Sequence, residues 1–138
     1  MTLRYLLDTN VVSEPLRPKP ARGVLDRLRR HQGELAIAAI VWHELRYGCA
    51  RLPAGVRRDA IQRYLDDVVA ASFPILDYDR IAAEWHALER ARLAALGSTP
   101  PFADGQIAAI AAARGLTLVT ANAADFRAFK GLRVQNWT

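Results

Sequence analysis

Tyr5-Leu6-Leu7-Asp8-Thr9-Asn10 runs three apolar residues into an acid and two turn formers, which reads as a short buried strand ending abruptly in polar side chains. The pattern recurs at Leu35-Ala36-Ile37-Ala38, Phe73-Pro74-Ile75-Leu76, Thr117-Leu118-Val119-Thr120 and, more briefly, Leu132-Arg133-Val134. Strands without alternation are covered on both faces, as in a parallel sheet. Between them, apolar residues return at helical spacing. Ala21, Val24, Leu25 and Leu28 predict a helix over 21–31, closed by Gly33, and Val41, Leu45 and Gly48 predict a second with Glu44 on its flank. Residues from Val56 to Val69 form a third stripe, and Ile81, Trp85, Leu88 and Leu96 mark a long amphipathic helix ending at Gly97. Asp104 opens an alanine-rich helix over Gln106–Arg114, stopped by Gly115. Strands alternating with helices imply an α/β sandwich around a mostly parallel central sheet of four to five strands, one domain over residues 1–138.

Composition narrows the function classes. Apolar residues make up 51% and charged residues 24%, so the chain has a core to bury. The longest apolar run, Leu35 to Trp42, is too short to span a bilayer, and the stretch before Asp8 is too short for a signal peptide. The lone Cys49 allows no internal disulfide, and with His31, His43 and His86 it gives no zinc spacing. The expectation is a cytoplasmic protein with no membrane association. Net charge is +5, and all basic residues except Lys19 and Lys130 are arginine, whose forked donors match phosphate oxygens.

Open parallel sheets bind ligands beyond the carboxyl ends of their strands. Asp8 follows the first strand, and Asn122 and Asp125 follow the fourth at Thr120. Glu44 lies in the first turns of the helix after strand two, beside an apolar face where an unpaired carboxylate is costly to bury, and Asp104 begins the helix before strand four. Each Asp taken singly reads as well as a helix or turn cap. Together they suit a hard divalent cation, Mg²⁺ or Mn²⁺, which acts on phosphate esters by lowering the pKa of water and needs no side-chain nucleophile. No G-x-S-x-G elbow, phosphate-binding glycine loop or dinucleotide fingerprint competes with that reading.

The stretches LLDTNVVSE, VWHELRYG, FADGQIAAIAA and LTLVTANAADF, in this order and spacing, resemble the PIN domain family, specifically its VapC-type toxins. The resemblance spans nearly the whole chain and implies a three-layer α/β/α fold and Mg²⁺- or Mn²⁺-dependent endoribonuclease activity. It also implies a homodimer and neutralisation by a small VapB-like antitoxin. Carried over by position, it makes Asp8, Glu44 and Asp104 the acidic metal-binding core with Thr9 and Thr120 as hydroxyl neighbours. Many PIN domains have Asp where this chain has Asn122, so Asp125 is assigned as the fourth carboxylate and Asn122 as a neighbour. A second departure is that Ala39 and Ile40 supply no Ser or Thr cap ahead of the Glu44 helix.

Two arginine-rich tracts are candidate RNA guides, with Arg22, Arg29 and Arg30 in one and Arg46 and Arg51 in the other. Setting the four site acids aside leaves 19 basic against 10 acidic residues, a body of +9 around an acidic pocket. Trp42 and Trp85 read as core, whereas Trp137 is a candidate base-stacking residue. Two other classes compete. A PIN scaffold that binds RNA or protein without cutting would not need Asp8, Glu44 and Asp104 together. A phosphatase of the haloacid dehalogenase type would need a second Asp two residues after Asp8, where this chain has Asn10.

Overall fold

The computed structural model describes residues 2–138. β1 (Tyr5–Leu7) is the central strand of a five-stranded, wholly parallel sheet ordered β3-β2-β1-β4-β5. The others are β2 (Leu35–Ala38), β3 (Ile75–Leu76), β4 (Thr117–Val119) and β5 (Arg133–Gln135). β1, β2 and the Leu118-Val119 half of β4 are buried on consecutive residues, as their unalternating sequences require. The chain steps from β1 outward to β3, then returns to β1's other side as β4. Right-handed crossovers therefore send the helices after β1 and β2 to one face and those after β3 to the other, giving three layers.

Helices α1 (Thr9–Val12), α2 (Arg22–Arg30), α3 (Ala39–Ala50) and α4 (Val56–Arg63) come first. A π-helical stretch, Tyr64–Val69, joins α4 to α5 (Ala70–Ser72); α6 (Arg80–Ala95) and α7 (Phe102–Ala113) follow. The stripe from Val56 to Val69 does not stay on one face. The wider π turn rotates it, so Leu65 and Val69 are buried while Val56 is 85% exposed. Tyr64 anchors this stretch by donating its hydroxyl to the Val12 carbonyl at 2.6 Å, and burial pushes its pKa up to about 12.

α6 corrects a second expectation. Ile81, Leu88 and Leu96 face solvent, and the buried face carries Ala82, His86, Glu89 and Leu93. Small and polar residues are selected because α7 presses close, with Ile107 to Ala111 all buried. Glu89 is tolerated there because the Arg92 guanidinium bonds to it and also donates to the Ala128 carbonyl at 2.9 Å. Gly97 and Gly115, at φ 80° and 66°, end α6 and α7 in the left-handed conformation that the sequence anticipates.

Trp137 is also corrected. It is only 4% exposed, edge-on to Tyr5 at 5.2 Å and stacked on His31 at 5.5 Å, so it closes the core and offers no face to a base. Among the described residues, no helix is long and apolar enough to cross a membrane.

Candidate active site at the sheet switch point

The strand order reverses between β1 and β4, and the candidate residues gather at the carboxyl ends of those strands. Asp8 continues the β1–β4 ladder through its amide, which donates to the Val119 carbonyl at 2.9 Å. Its side chain is held twice. Oδ1 accepts from the Thr9 amide at 2.8 Å, the cap of α1, and Oδ2 accepts from the Thr120 hydroxyl at 2.8 Å. The capping role and the site role therefore belong to one carboxylate. Thr120 is fully buried, and its oxygen in turn accepts from the Asn122 amide at 3.0 Å.

Asn10 has a structural part that its sequence position does not announce. Its carbonyl oxygen accepts from the Ala121 amide at 3.0 Å, and its amide nitrogen lies 3.5 Å from both Asp8 Oδ2 and Thr120 Oγ1. It fastens the turn after β1 to the turn after β4. Its proximity to Asp8 in sequence is the only signal that could have found it.

Glu44 corrects the expectation of a carboxylate against an apolar face. It is exposed, and Oε2 accepts from the Thr9 hydroxyl at 3.1 Å. Val41, Leu45 and Cys49 bury the other side of α3. Asp104 lies in the first turn of α7, which begins at Phe102 rather than at Gln106, so it is not the cap. Asp125 is exposed within a 3-10 turn, Ala123–Phe126.

Electrostatics ties the four acids together. Asp104 has its pKa pushed up to about 6, first by burial and then by the charges of Asp8, Asp125 and Glu44. That order of causes places all three carboxylates within electrostatic reach of the fourth, against the helix N-terminus that favours an ionised Asp104. A shallow cavity of about 390 Å³ opens beside it, walled by Ser98, Thr99, Pro101, Asp104 and Asp125. A larger cavity of about 570 Å³ lies away from these acids, between α2 and the π-helical stretch.

The raised pKa has a stability consequence. The unfolded value is 3.8, so between that and about 6 the folded chain binds more protons than the unfolded one, and stability falls as pH rises through the interval. Above it the loss is constant. Denaturation in EDTA across the interval should show Asp104→Asn gaining on the parent as pH rises. Parallel curves would mean that the carboxyl is not under this pressure.

Beneath Asp104, the buried His86 ring lies against Gly105, and its Nδ1 shares a hydrogen with the Tyr78 hydroxyl at 2.8 Å. Burial, then the Arg90 charge, lowers the His86 pKa. The candidate arginines divide. Arg46 rides α3 with Glu44 but pairs with Asp66 at 2.8 Å, and Arg51 caps the carboxyl end of the same helix. Arg29, 3.6 Å from Asp26, and Arg30 end α2 beside His31, which packs on Tyr5 where β1 begins, so they lie toward the opposite end of the sheet. Arg22 starts the same helix.

A family model described as PIN domain matches residues 5–132. The chain belongs to the PIN domain family. Among its relatives, a plasmid stability protein StbB of Pseudomonas syringae pv. tomato is 38% identical over 95% of this chain and 96% of the relative. A tRNA(fMet)-specific endonuclease VapC of Shigella flexneri is 34% identical over 99% of both chains. The solved structure of FitAB bound to an IR36 DNA fragment superposes with a TM-score of 0.89 at 33% identity, over 97% of this chain and 96% of that one. In this PIN domain Asp8 directly follows β1, Glu44 lies on α3, Asp104 in the first turn of α7 and Asp125 in the 3-10 turn after β4.

Proposed function

We propose that this PIN domain is a divalent-cation-dependent endoribonuclease and the toxin half of a VapBC-type pair. What supports the reading is the placement of the acids: Thr9 bonds both Asp8 and Glu44, and Asp104 and Asp125 line one cavity, with the charges of Asp8, Asp125 and Glu44 adding to burial in raising the Asp104 pKa. Relatives named as VapC ribonucleases and solved toxin–antitoxin complexes of the same fold support it.

The donor set fits Mg²⁺ or Mn²⁺, because every candidate donor is a hard oxygen. Among the described residues, no three His, Cys, Asp or Glu side chains are already gathered tightly enough to hold a metal ion. Asp8, Glu44, Asp104 and Asp125 would hold the ion. A cation there supplies positive charge against the phosphate and makes water a better nucleophile. The chain's own residues do the positioning. Thr9 and Thr120 fix the two oxygens of Asp8, and the Thr9 hydroxyl aims Glu44 into the same space. Asp125 takes the fourth acidic position because it lines the same cavity as Asp104 and its charge acts on that carboxyl, while Asn122 is a neighbour whose backbone amide donates to Thr120.

The partners proposed with this activity are an RNA substrate, a small VapB-like antitoxin and a second copy of the chain. Purified protein should cut RNA in Mg²⁺ or Mn²⁺ and stop in EDTA, sediment above monomer mass, and cease to arrest growth when the antitoxin encoded beside it is co-expressed. Intact RNA in Mn²⁺, with initiator transfer RNA, ribosomal RNA and message all offered, contradicts the reading.

A further inference from the structure

α3 carries an exposed feature that the acidic site does not use. His43, Tyr47 and Arg51 recur every four residues, which places them along one side of the helix. The His43 and Tyr47 rings are within 3° of parallel with centroids 6.3 Å apart, and the Arg51 guanidinium lies 5.8 Å from the Tyr47 centroid. Tyr47 is 61% exposed, so its ring is accessible to a planar partner. The three span about 12 Å of helix axis. Glu44 sits between the first two, one residue after His43 and three before Tyr47, so the row begins at the acidic site and leads away from it toward the end of α3.

We infer that this row is a base-stacking track for the single-stranded RNA flanking the cleaved phosphodiester; the inference rests on the ribonuclease reading. Unstacked bases pack on aromatic faces and on arginine planes, and they do so without reading sequence. Flat parallel rings followed by a cation complement a polyanion carrying planar bases. They also continue directly from Glu44, where the reacting phosphate is handled. The deeper cavity between α2 and the π-helical stretch, part apolar and part polar, offers the concave seat that a protein segment prefers, and it lies elsewhere.

The test uses full-length protein in an Asp104→Asn background, which removes one repelling charge and stops cutting. Fluorescence anisotropy then follows a labelled single-stranded oligoribonucleotide in Mg²⁺. Tyr47→Ala should weaken binding by roughly 5- to 150-fold, the span for loss of one stacked base, while Tyr47→Phe, which keeps the ring, binds like the parent. Arg51→Gln should flatten the dependence of log affinity on log salt by roughly 0.7 if it meets one phosphate. With Asp104 restored, Tyr47→Ala should raise KM more than it lowers kcat. Unchanged RNA binding in both Tyr47→Ala and His43→Ala overturns the track, including the case in which the same variants weaken the antitoxin complex and so mark a protein-docking surface. A parent that binds no single-stranded RNA overturns the ribonuclease reading and the track together.

Discussion

Asp8→Asn and Asp104→Asn should each abolish RNA cleavage, by roughly 10³-fold or more, and leave the fold intact. Each replaces one carboxylate oxygen by an amide nitrogen of the same shape, so packing is unchanged while a charge that would face the cation is lost. Asp8 is the more constrained. Its two oxygens accept from the Thr9 amide and the Thr120 hydroxyl, and an asparagine keeps only one of those acceptors. Some loss of stability therefore accompanies Asp8→Asn, of order 1 kcal/mol. Asp104→Asn should instead stabilise the metal-free protein above about pH 6, since it removes the charge opposed by burial and by three neighbouring acids. The measurement is cleavage of RNA in Mn²⁺ beside thermal unfolding in EDTA. Parental cutting rates in both variants, with contaminating nuclease excluded, would remove these residues from the site.

Gly105→Ala should be the most damaging small substitution in the chain. An added Cβ would stand 2.2 Å from His86 Nε2 and within 2.9 Å of two ring carbons. The ring has little freedom to yield, being 3% exposed, tied through Nδ1 to Tyr78 and packed at 4.8 Å from the Phe102 ring. The strain must part α6 from α7 at the turn that carries Asp104. A cost of roughly 1–3 kcal/mol, on the order of 3–10 °C in Tm, is expected, together with weaker Mn²⁺ binding. The double variant His86→Ala/Gly105→Ala removes the colliding ring and should be more stable than the sum of the two single losses predicts. Strict additivity would mean that the ring and the added Cβ do not collide.

The strands are legible because each apolar run is unalternating and stops at a polar or helix-starting residue, and the candidate site is legible because Asp8 is one of those stops and Glu44, Asp104 and Asp125 belong to the segments flanking the others. What was not legible came from neighbours that the sequence does not display. The large residues Ile81, Leu88 and Leu96 suggest the buried face of α6, but the face against the alanine-rich α7 is instead made of Ala82, His86, Leu93 and Glu89, the last paired with Arg92. A π turn cannot be read from a period of 3.6, so the sequence pattern groups Val56 with Leu65 and Val69, although it is exposed. Glu44 was expected beside apolar residues, yet its exposure follows from Val41 and Leu45 taking the inner side of the same helix. Asn10 and Gly105 lie next to or near named site residues, but their roles depend on contacts with Ala121 and His86, far along the chain.

Thermal unfolding of the parent and Asp104→Asn, first in EDTA and then against rising Mn²⁺, tests most directly whether the carboxylates form one cation site. A ligand bound only by the folded chain adds about 2.7 kcal/mol at a hundred times its Kd, on the order of 8 °C for a domain of this size. The account predicts that the parent gains this much, that the variant starts higher in EDTA at neutral pH, and that it gains far less from Mn²⁺. A parent whose Tm ignores Mn²⁺ while the variant is no more stable in EDTA would contradict convergence of Asp8, Glu44, Asp104 and Asp125, and the metal mechanism with it.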